Sequence, residues 1–356
     1  MDSRAGESVE MVSVDRLAAA DLDPVTPDDV LSWVALPERG QADVETLAAA
    51  AERARRSHRI LIGIGTPSAD LEELLDALSF TFHDGTVDHL NTVQVSSIED
   101  AAAEVDKAVG ATPLASMTCT GLLRMTESLR VRDGLVAESL AYSTLQSGPE
   151  FTRWLKGDRR HGQSDSGESI RVRRDGDRLT VVLDRPTMHN AIDAAMRDQL
   201  VDALDLALID DTIEDVVLCG RGKSFCSGGF LDEFGSTPDP ATAHLIRTQH
   251  RPGEQLHRLA QRMGPRCVAH VHGAVIGGGL EIAAFAGSVV ADPQSFFRLP
   301  EVSMGLIPGA GGTVSVSRRV GRWRAAWMML TGNAIDAETA LRWNLVDDVH
   351  TASPAI

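Results

Sequence analysis

Apolar and polar positions along the chain alternate between helical and extended runs. Val44 to Arg56 has a helical apolar period, RILIGIG at 59–65 reads as a short strand, and Ser68 to Leu78 reads as a second helix. Residues 98–156 predict two or three helices, with IEDAAAEVDKAV Ala-rich, GLVAESLAYSTLQ amphipathic, and Pro113 and Gly148-Pro149 between them. Further on, SIRVRR and RLTVVL flank Asp175-Gly176-Asp177, where Asp-Gly supplies the positive φ of a tight turn, so a hairpin is expected, ending at Pro186. Met196, Leu200, Leu204 and Leu208 then recur at helical spacing behind Asp193, which stands at the N-cap position. DVVLCG at 215–220 and CVAHVHGAVI downstream predict buried parallel strands. Strand and helix alternate, which implies an α/β layered fold.

The pattern also divides the chain. KGDRRHGQSDSGESIRVRRDGD has no apolar period until Ile170, which places a linker at 157–168 between an N-terminal region and a core at 169–351. The N-terminal region splits into an α/β stretch, 1–97, and a helical stretch, 98–156. RILIGIGTPSADLEEL set beside DVVLCGRGKSFCSGGFLDEF suggests an internal repeat whose earlier copy lacks the Cys-Ser-Gly-Gly segment. A single pair of segments does not separate a repeat from coincidence.

Composition narrows the function. Hydrophobic residues are 43% and charged residues 24%, globular values, and no apolar stretch nears the roughly 20 residues of a membrane helix. The start, MDSRAGESVEMV, lacks a basic segment followed by an apolar one, so a cytoplasmic location and no membrane partner are expected. With 34 Lys plus Arg against 51 Asp plus Glu, the formal charge of -17 argues against nucleic-acid binding through a basic face. An anionic ligand would need a local basic rim. Cys119, Cys219, Cys226 and Cys267 lack the spacing of a disulfide framework or a zinc site, so no metal is expected.

Candidate chemistry concentrates in three segments. In GAVIGGGLEIAAFAG, 273–287, a strand runs through Gly277, Gly278 and Gly279 into an apolar helix. Without Cβ atoms a ligand could meet N–H groups there, although the same glycines could simply let helix and strand pack closely. Glu281 sits in the first turn, where burial would raise its pKa and the helix dipole would lower it. In FFRLPEVSMGLIPGAGGT, Glu301 follows Pro300 and precedes the Pro308-Gly309-Ala310-Gly311-Gly312 loop. Two glutamates beside restricted turns could flank one substrate and divide acid and base roles. In GRGKSFCSGGFLDEF, Ser227-Gly228-Gly229 can present another backbone N–H, while Cys226 has no histidine placed to activate it as a nucleophile.

Together these segments resemble the crotonase family, the enoyl-CoA hydratase/isomerase superfamily. The landmarks are LDRPTMHNAID at 183–193, FCSGG at 225–229, HGAVIGGGLEIA at 272–283, RLPEVSMGLIPGAGGT at 298–313 and LTGNAIDAETALRWNLVDDV at 330–349, in family order. The resemblance implies an α/β fold with a ββα spiral core, an acyl-CoA substrate and no separate cofactor. It implies an oxyanion hole from the Gly229 and Gly278 amides, with Glu281 activating water and Glu301 delivering a proton, as in an enoyl-CoA hydratase. Isomerases or hydrolases of the family, or a non-catalytic CoA-binding protein, are the alternatives. The loop Arg185 to Ala191, with Met188 and Asn190, together with Lys223 and Ser227, is placed by the resemblance at the CoA, with the basic residues Arg185, Arg221 and Lys223 able to meet its phosphates or simply to lie solvated at the surface. Family members usually have an aspartate where this chain has Phe230, which would put a ring near the pocket mouth. Only His350 to Ile356 follow the last motif, whereas 98–156 looks like the family's C-terminal helices placed ahead of the core, with 1–97 a degenerate remnant of another crotonase half. A homo-oligomer, trimer or hexamer, is the family expectation.

Overall fold

Short apolar strands and capped helices wind the first hundred residues into a parallel sheet. The computed structural model describes residues 11–20, 22, 25–86, 89–157 and 167–351, so most of the expected 157–168 linker lies outside the described residues. Strands β1 (Met11–Ser13), β2 (Leu31–Ala35), β3 (Ile60–Ile64), β4 (Phe80–His83) and β5 (Thr92–Gln94) pair in parallel and in chain order. Between them run α1 (Val14–Ala19), α2 (Val44–Arg56) and α3 (Glu72–Ala77). Ser13 and Asp43 cap α1 and α2 by accepting from the Arg16 and Thr46 amides. α2 turns Leu47, Ala50, Ala51 and Ala54 inward, joining Val34, Leu61 and Leu74 in one core. Trp33, Ile60, Ile62, Phe80 and Phe82 belong to the larger core shared with the rest of the chain, so the sheet is covered on both faces, as parallel sheets require.

Four helices follow: α4 (Ile98–Ala111), α5 (Pro113–Thr126), α6 (Val131–Gln146) and α7 (Pro149–Leu155). Pro113 and Pro149 occupy first helical positions, where a missing N–H costs nothing. The Glu150 carboxylate of α7 accepts from the Leu114 and Ala115 amides and so closes the start of α5. The count exceeds the expected two or three because α7 has only seven residues, too few for a clear apolar period.

The core opens with the expected hairpin, β6 (Ile170–Asp175) and β7 (Arg178–Leu183), turning at Gly176 with φ +63°. Asp193 caps α8 (Ala194–Ile209) through the Met196 amide. Strand β8 (Asp215–Gly220) is followed by α9 (Pro240–Gln249) and α10 (Pro252–Met263). CVAHVHGAVI, expected as one strand, is two: β9 (Cys267–Val271) and β10 (Ala274–Ile276). Gly273 between them has φ +57°, and any Cβ there would meet the Lys223 carbonyl, so the chain leaves the main sheet. Next come α11 (Gly278–Ala283), β11 (Ser288–Ala291), β12 (Phe296–Arg298), α12 (Gly312–Val320), α13 (Arg322–Thr331), β13 (Ile335–Asp336), α14 (Ala337–Arg342) and β14 (Asp348–Val349). The main sheet runs β14-β11-β9-β8-β7-β6, again chain order, with only β6 antiparallel, while β10, β12 and β13 form a second, small sheet. The result is the α/β spiral that the sequence implies.

Helices α4 to α7 pack on the core of the same chain. α5 and α6 lie on α12, α4 and α5 on α13, and α6 on α9. Thr126 Oγ1 donates to the Thr313 carbonyl at this junction. No helix among the described residues is long and apolar enough to cross a membrane.

Candidate active site

Three glycine-bearing turns meet at one cavity. Segment 225–230 is held on both sides. Ile192 donates to the Gly228 carbonyl and Phe230 to the Ile192 carbonyl, while Cys226 donates to Ala274 and Ile276 to Cys226. Strand alternation turns the Gly229 amide away from Ile192, and it has no acceptor among the described residues. Gly277, with φ +50°, ends β10 and starts α11, whose first amide, Gly278, likewise has none. A Cβ on Gly278 would stand 3.9 Å from the Gly229 nitrogen, so the two amides are neighbours. The three glycines differ in purpose. A Cβ on Gly279 would lie 2.5 Å from that of Cys226, and one on Gly277 would meet the Glu301 carboxylate, whereas nothing lies within 3.7 Å of one on Gly278.

Glu281 is 2% exposed, and its Oε2 accepts from the amides of Ala310 (2.7 Å) and Gly312 (2.8 Å). Burial pushes its carboxyl up to about 7 against the opposing pull of the Gly312, Ala310, Gly309 and Gly311 amides, so desolvation outweighs the hydrogen bonds of that loop. Glu301, on the 3-10 turn Glu301–Met304, is also buried, and its Oε2 has no hydrogen-bond partner among the described residues. Burial, then the charge of Glu281, holds it well above the ordinary carboxylate value. The turn at Gly277 and the loop 309–312 thus each have a buried carboxylate against them.

The cavity, of about 130 Å³, is lined by both free-amide glycines, Gly229 and Gly278, by Ile192 and Ile282, and by the Gly309–Gly311 loop. Its opposite wall brings in Leu135, Glu138 and Ser139 from α6. Glu138 is 2% exposed and accepts from the amides of Gly311 (2.8 Å) and Thr313 (2.9 Å) and from Thr313 Oγ1 (2.6 Å). Burial and the nearby Glu281 raise it to about 8. Tyr142, one turn further along α6, lies against Gly309, where a Cβ would come within 2.6 Å of the ring.

One side of the cavity is basic. Arg197, Arg247, His250 and Arg251 line it. Arg197 and His250 pair with Asp198, and Arg251 with Glu254 at 3.5 Å. Arg247 lies over the Tyr142 ring and donates to Ser139, Ser143 and Gln146, with no acidic partner at ion-pair distance among the described residues. Glu138 and these basic residues were not singled out in the sequence. The one local signal was a glutamate on the apolar face of GLVAESLAYSTLQ.

The residues assigned to CoA separate into two groups. Met188 and Ser227 are partly exposed and Lys223 is exposed, all on the outside of the first glycine turn. Arg185, expected to reach a phosphate, instead points inward: it is buried, pairs with Asp193 and donates to the Ala191 carbonyl. Asn190 is wholly buried, accepting from the Arg185 amide and donating to the Arg221, Ser224 and Phe225 carbonyls. Arg185, Asn190 and the Ala191 carbonyl therefore brace the turn. Arg221 remains exposed and pairs with Asp184 at 3.0 Å. Cys226 is buried, donates to the Asn190 carbonyl and is pushed up to about 12 by burial, which removes it as a thiolate nucleophile. The Phe230 ring is buried beside Ile192 and Phe234 in an adjoining hollow.

The sequence model of the family described as Enoyl-CoA hydratase/isomerase matches residues 178–354. The 2,3-dehydroadipyl-CoA hydratase of Escherichia coli (strain K12) is 36% identical over 171 residues, 48% of this chain and 65% of that protein. The 1,2-epoxyphenylacetyl-CoA isomerase of the same organism is 32% identical over 181 residues, 50% of this chain and 69% of its own length. The chain belongs to the enoyl-CoA hydratase/isomerase family. A solved enoyl-CoA hydratase from Thermoplasma volcanium GSS1 is 33% identical, with a TM-score of 0.44 over 51% of this chain and 71% of that one. The chain spans about two thirds of the length of the family relatives it matches. In this family member the matched stretch holds Gly229, Gly278, Glu281 and Glu301, whereas the α6 wall of the cavity lies outside it.

Proposed function

We propose that this protein is an enoyl-CoA hydratase, adding water across the 2,3 double bond of a trans-2-enoyl-CoA thioester. The observation that carries the reading is the pair of buried, raised carboxylates, Glu281 and Glu301, against the glycine turns that present two neighbouring free amides. In this reading Gly229 and Gly278 donate to the thioester oxygen as it gains negative charge, each worth about 10²–10³-fold in rate. Glu281, near neutrality at about 7, takes a proton from water as its oxygen bonds to C3. Glu301, whose carboxyl burial raises well above its ordinary value, gives a proton to C2. Proton exchange with solvent restores both groups, and no further reactant is consumed. Arg247, the cavity-wall arginine with no acidic partner among the described residues, supplies a local positive charge in a chain of charge -17, which suits an anionic CoA ester, and the exposed Lys223 could meet a phosphate.

A second reading is double-bond isomerisation. It is favoured by the contrast between Glu281, whose Oε2 already serves two amides, and Glu301, whose Oε2 has no partner and could move a proton alone. The loss of enoyl-thioester absorbance on adding a trans-2-enoyl-CoA tests the two. Hydration abolished by both Glu281→Gln and Glu301→Gln supports the hydratase. Isomerisation of a 3-enoyl-CoA that survives Glu281→Gln alone would replace it.

We also infer that 98–156 serves as the family's C-terminal helices from an N-terminal position. The packing of α5 and α6 on α12, and the placing of Leu135 and Glu138 in the cavity wall, support this.

A further inference from the structure

Four consecutive amides at the start of α12 are shared between two carboxylates in alternation. Glu281, on α11, takes those of Ala310 and Gly312, and Glu138, on α6, takes those of Gly311 and Thr313. The Thr313 hydroxyl adds a third bond to Glu138. Each carboxylate fixes every second peptide, so neither can shift without pulling a loop that the other holds. Both lie at the N-terminus of a nine-residue helix, where aligned peptide dipoles favour negative charge.

We propose that Glu138, contributed from outside the stretch that the family model matches, is a positioning residue that sets the stance of Glu281 through this shared loop. The inference rests on the proposed hydration only for its kinetic readout. Glu138 itself faces the cavity but is committed to three donors, so it acts through Glu281 and the Gly309–Gly311 wall.

The electrostatic surroundings fit that role. Besides Glu281, the titratable and charged groups facing Glu138 are Glu301 on its 3-10 turn, Arg247 on α9, Tyr142 on α6 and Cys119 on α5. Burial pushes Tyr142 and Cys119 upward, so both stay neutral near pH 7. Arg247 is the cation that partly offsets the glutamates. Glu138, Glu281 and Glu301 interact, so their protons leave in joint steps that belong to the three together rather than to any one of them.

The test uses the full chain with Glu138→Gln, which keeps one acceptor oxygen and the side-chain volume, beside Glu138→Ala. Carboxyl-carbon NMR of glutamate-labelled protein follows the titration directly, and kcat and KM against pH follow the reaction. Expected for Glu138→Gln are a folded protein, a fall in kcat of about 10–100-fold with KM changed less, and a Glu281 carboxyl titration displaced from its wild-type position. Unchanged kcat and an unchanged Glu281 titration would overturn the proposal. So would a loss of thermal stability in both variants matched by loss of active fraction, with the titration and pH profile of the remaining enzyme unaltered. If the wild type hydrates no enoyl-CoA, the hydratase reading falls while the titration still decides the pairing of Glu138 with Glu281.

Discussion

Strands β1 to β5 and the main sheet from β6 to β14 each lie in chain order with helices between them, yet only the second is built around candidate chemistry. The comparison is sharpest after β3 and β8. Four residues, Gly65 to Ser68, lead from β3 to a 3-10 turn at Ala69–Leu71, whereas ten, Arg221 to Phe230, lead from β8 to one at Leu231–Glu233. The longer connection contains Gly228 and Gly229 and is wedged between Ile192 and Val275. The shorter one contains only Gly65, which lies against Leu36. The two sheets teach that winding supplies a scaffold while the connections supply the site. The N-terminal region nevertheless reaches the cavity through α6, which packs on α9 and α12 of the core.

Deleting residues 1–156 should break this division most severely. It strips the cover from α12 and α13, removes one cavity wall and exposes a large part of the shared core. An insoluble or misassembled product is expected, measured by soluble yield and size-exclusion profile. A soluble fragment with full activity would sink the idea that the two regions form one enzyme. Next in size, Glu281→Gln and Glu301→Gln should each lower hydration by about 10²–10⁴-fold, with the thermal midpoint near that of the parent. Phe82→Ala tests the other side of the comparison. The ring is fully buried between the N-terminal sheet and the rest of the chain, so about 3–5 kcal/mol of stability should be lost in denaturant titrations. The rate per folded molecule should stay close to the parent value, and a specific loss of kcat would show that this sheet tunes the site.

The most gradual expected effect is on the pH dependence of stability. Folding raises Glu138 to about 8 and Glu281 to about 7 from an ordinary 4.5, so the folded state binds more protons than the unfolded state across that interval. Their contribution is full below about 4.5 and declines as pH rises through the folded values. Urea titrations from pH 5 to 9 should show stability falling with pH, less steeply in Glu138→Gln.

Legibility in the sequence followed the range of the forces involved. The hairpin at Gly176, the cap at Asp193, the glycine turn before Glu281 and the Pro300-Glu301 segment are written in adjacent residues. Gly273 showed no comparable signal, because what excludes a Cβ there is a carbonyl fifty positions earlier, at Lys223. Arg185 was misread as a phosphate ligand for the same reason: an arginine beside a loop looks exposed until Asp193 and the Ala191 carbonyl fold over it. Of the five N-terminal strands only β3 was anticipated; the others, three to five residues long, offer too few positions for a period to form. Glu138 is the extreme case, since its partners become neighbours only after the whole core has folded.

That separation carries a consequence for biogenesis. Glu138 and Gly311 are 173 positions apart, so on a ribosome adding about 5–20 residues per second α6 waits on the order of ten seconds or more for its loop. Throughout that interval the faces of α5 and α6 that will meet α12 and α13 are uncovered, and the nascent chain is a natural client for chaperones. Catalytic competence would then appear only after Thr313 has been made, and agents that slow elongation across 156–313 should lower the yield of active enzyme without altering its sequence.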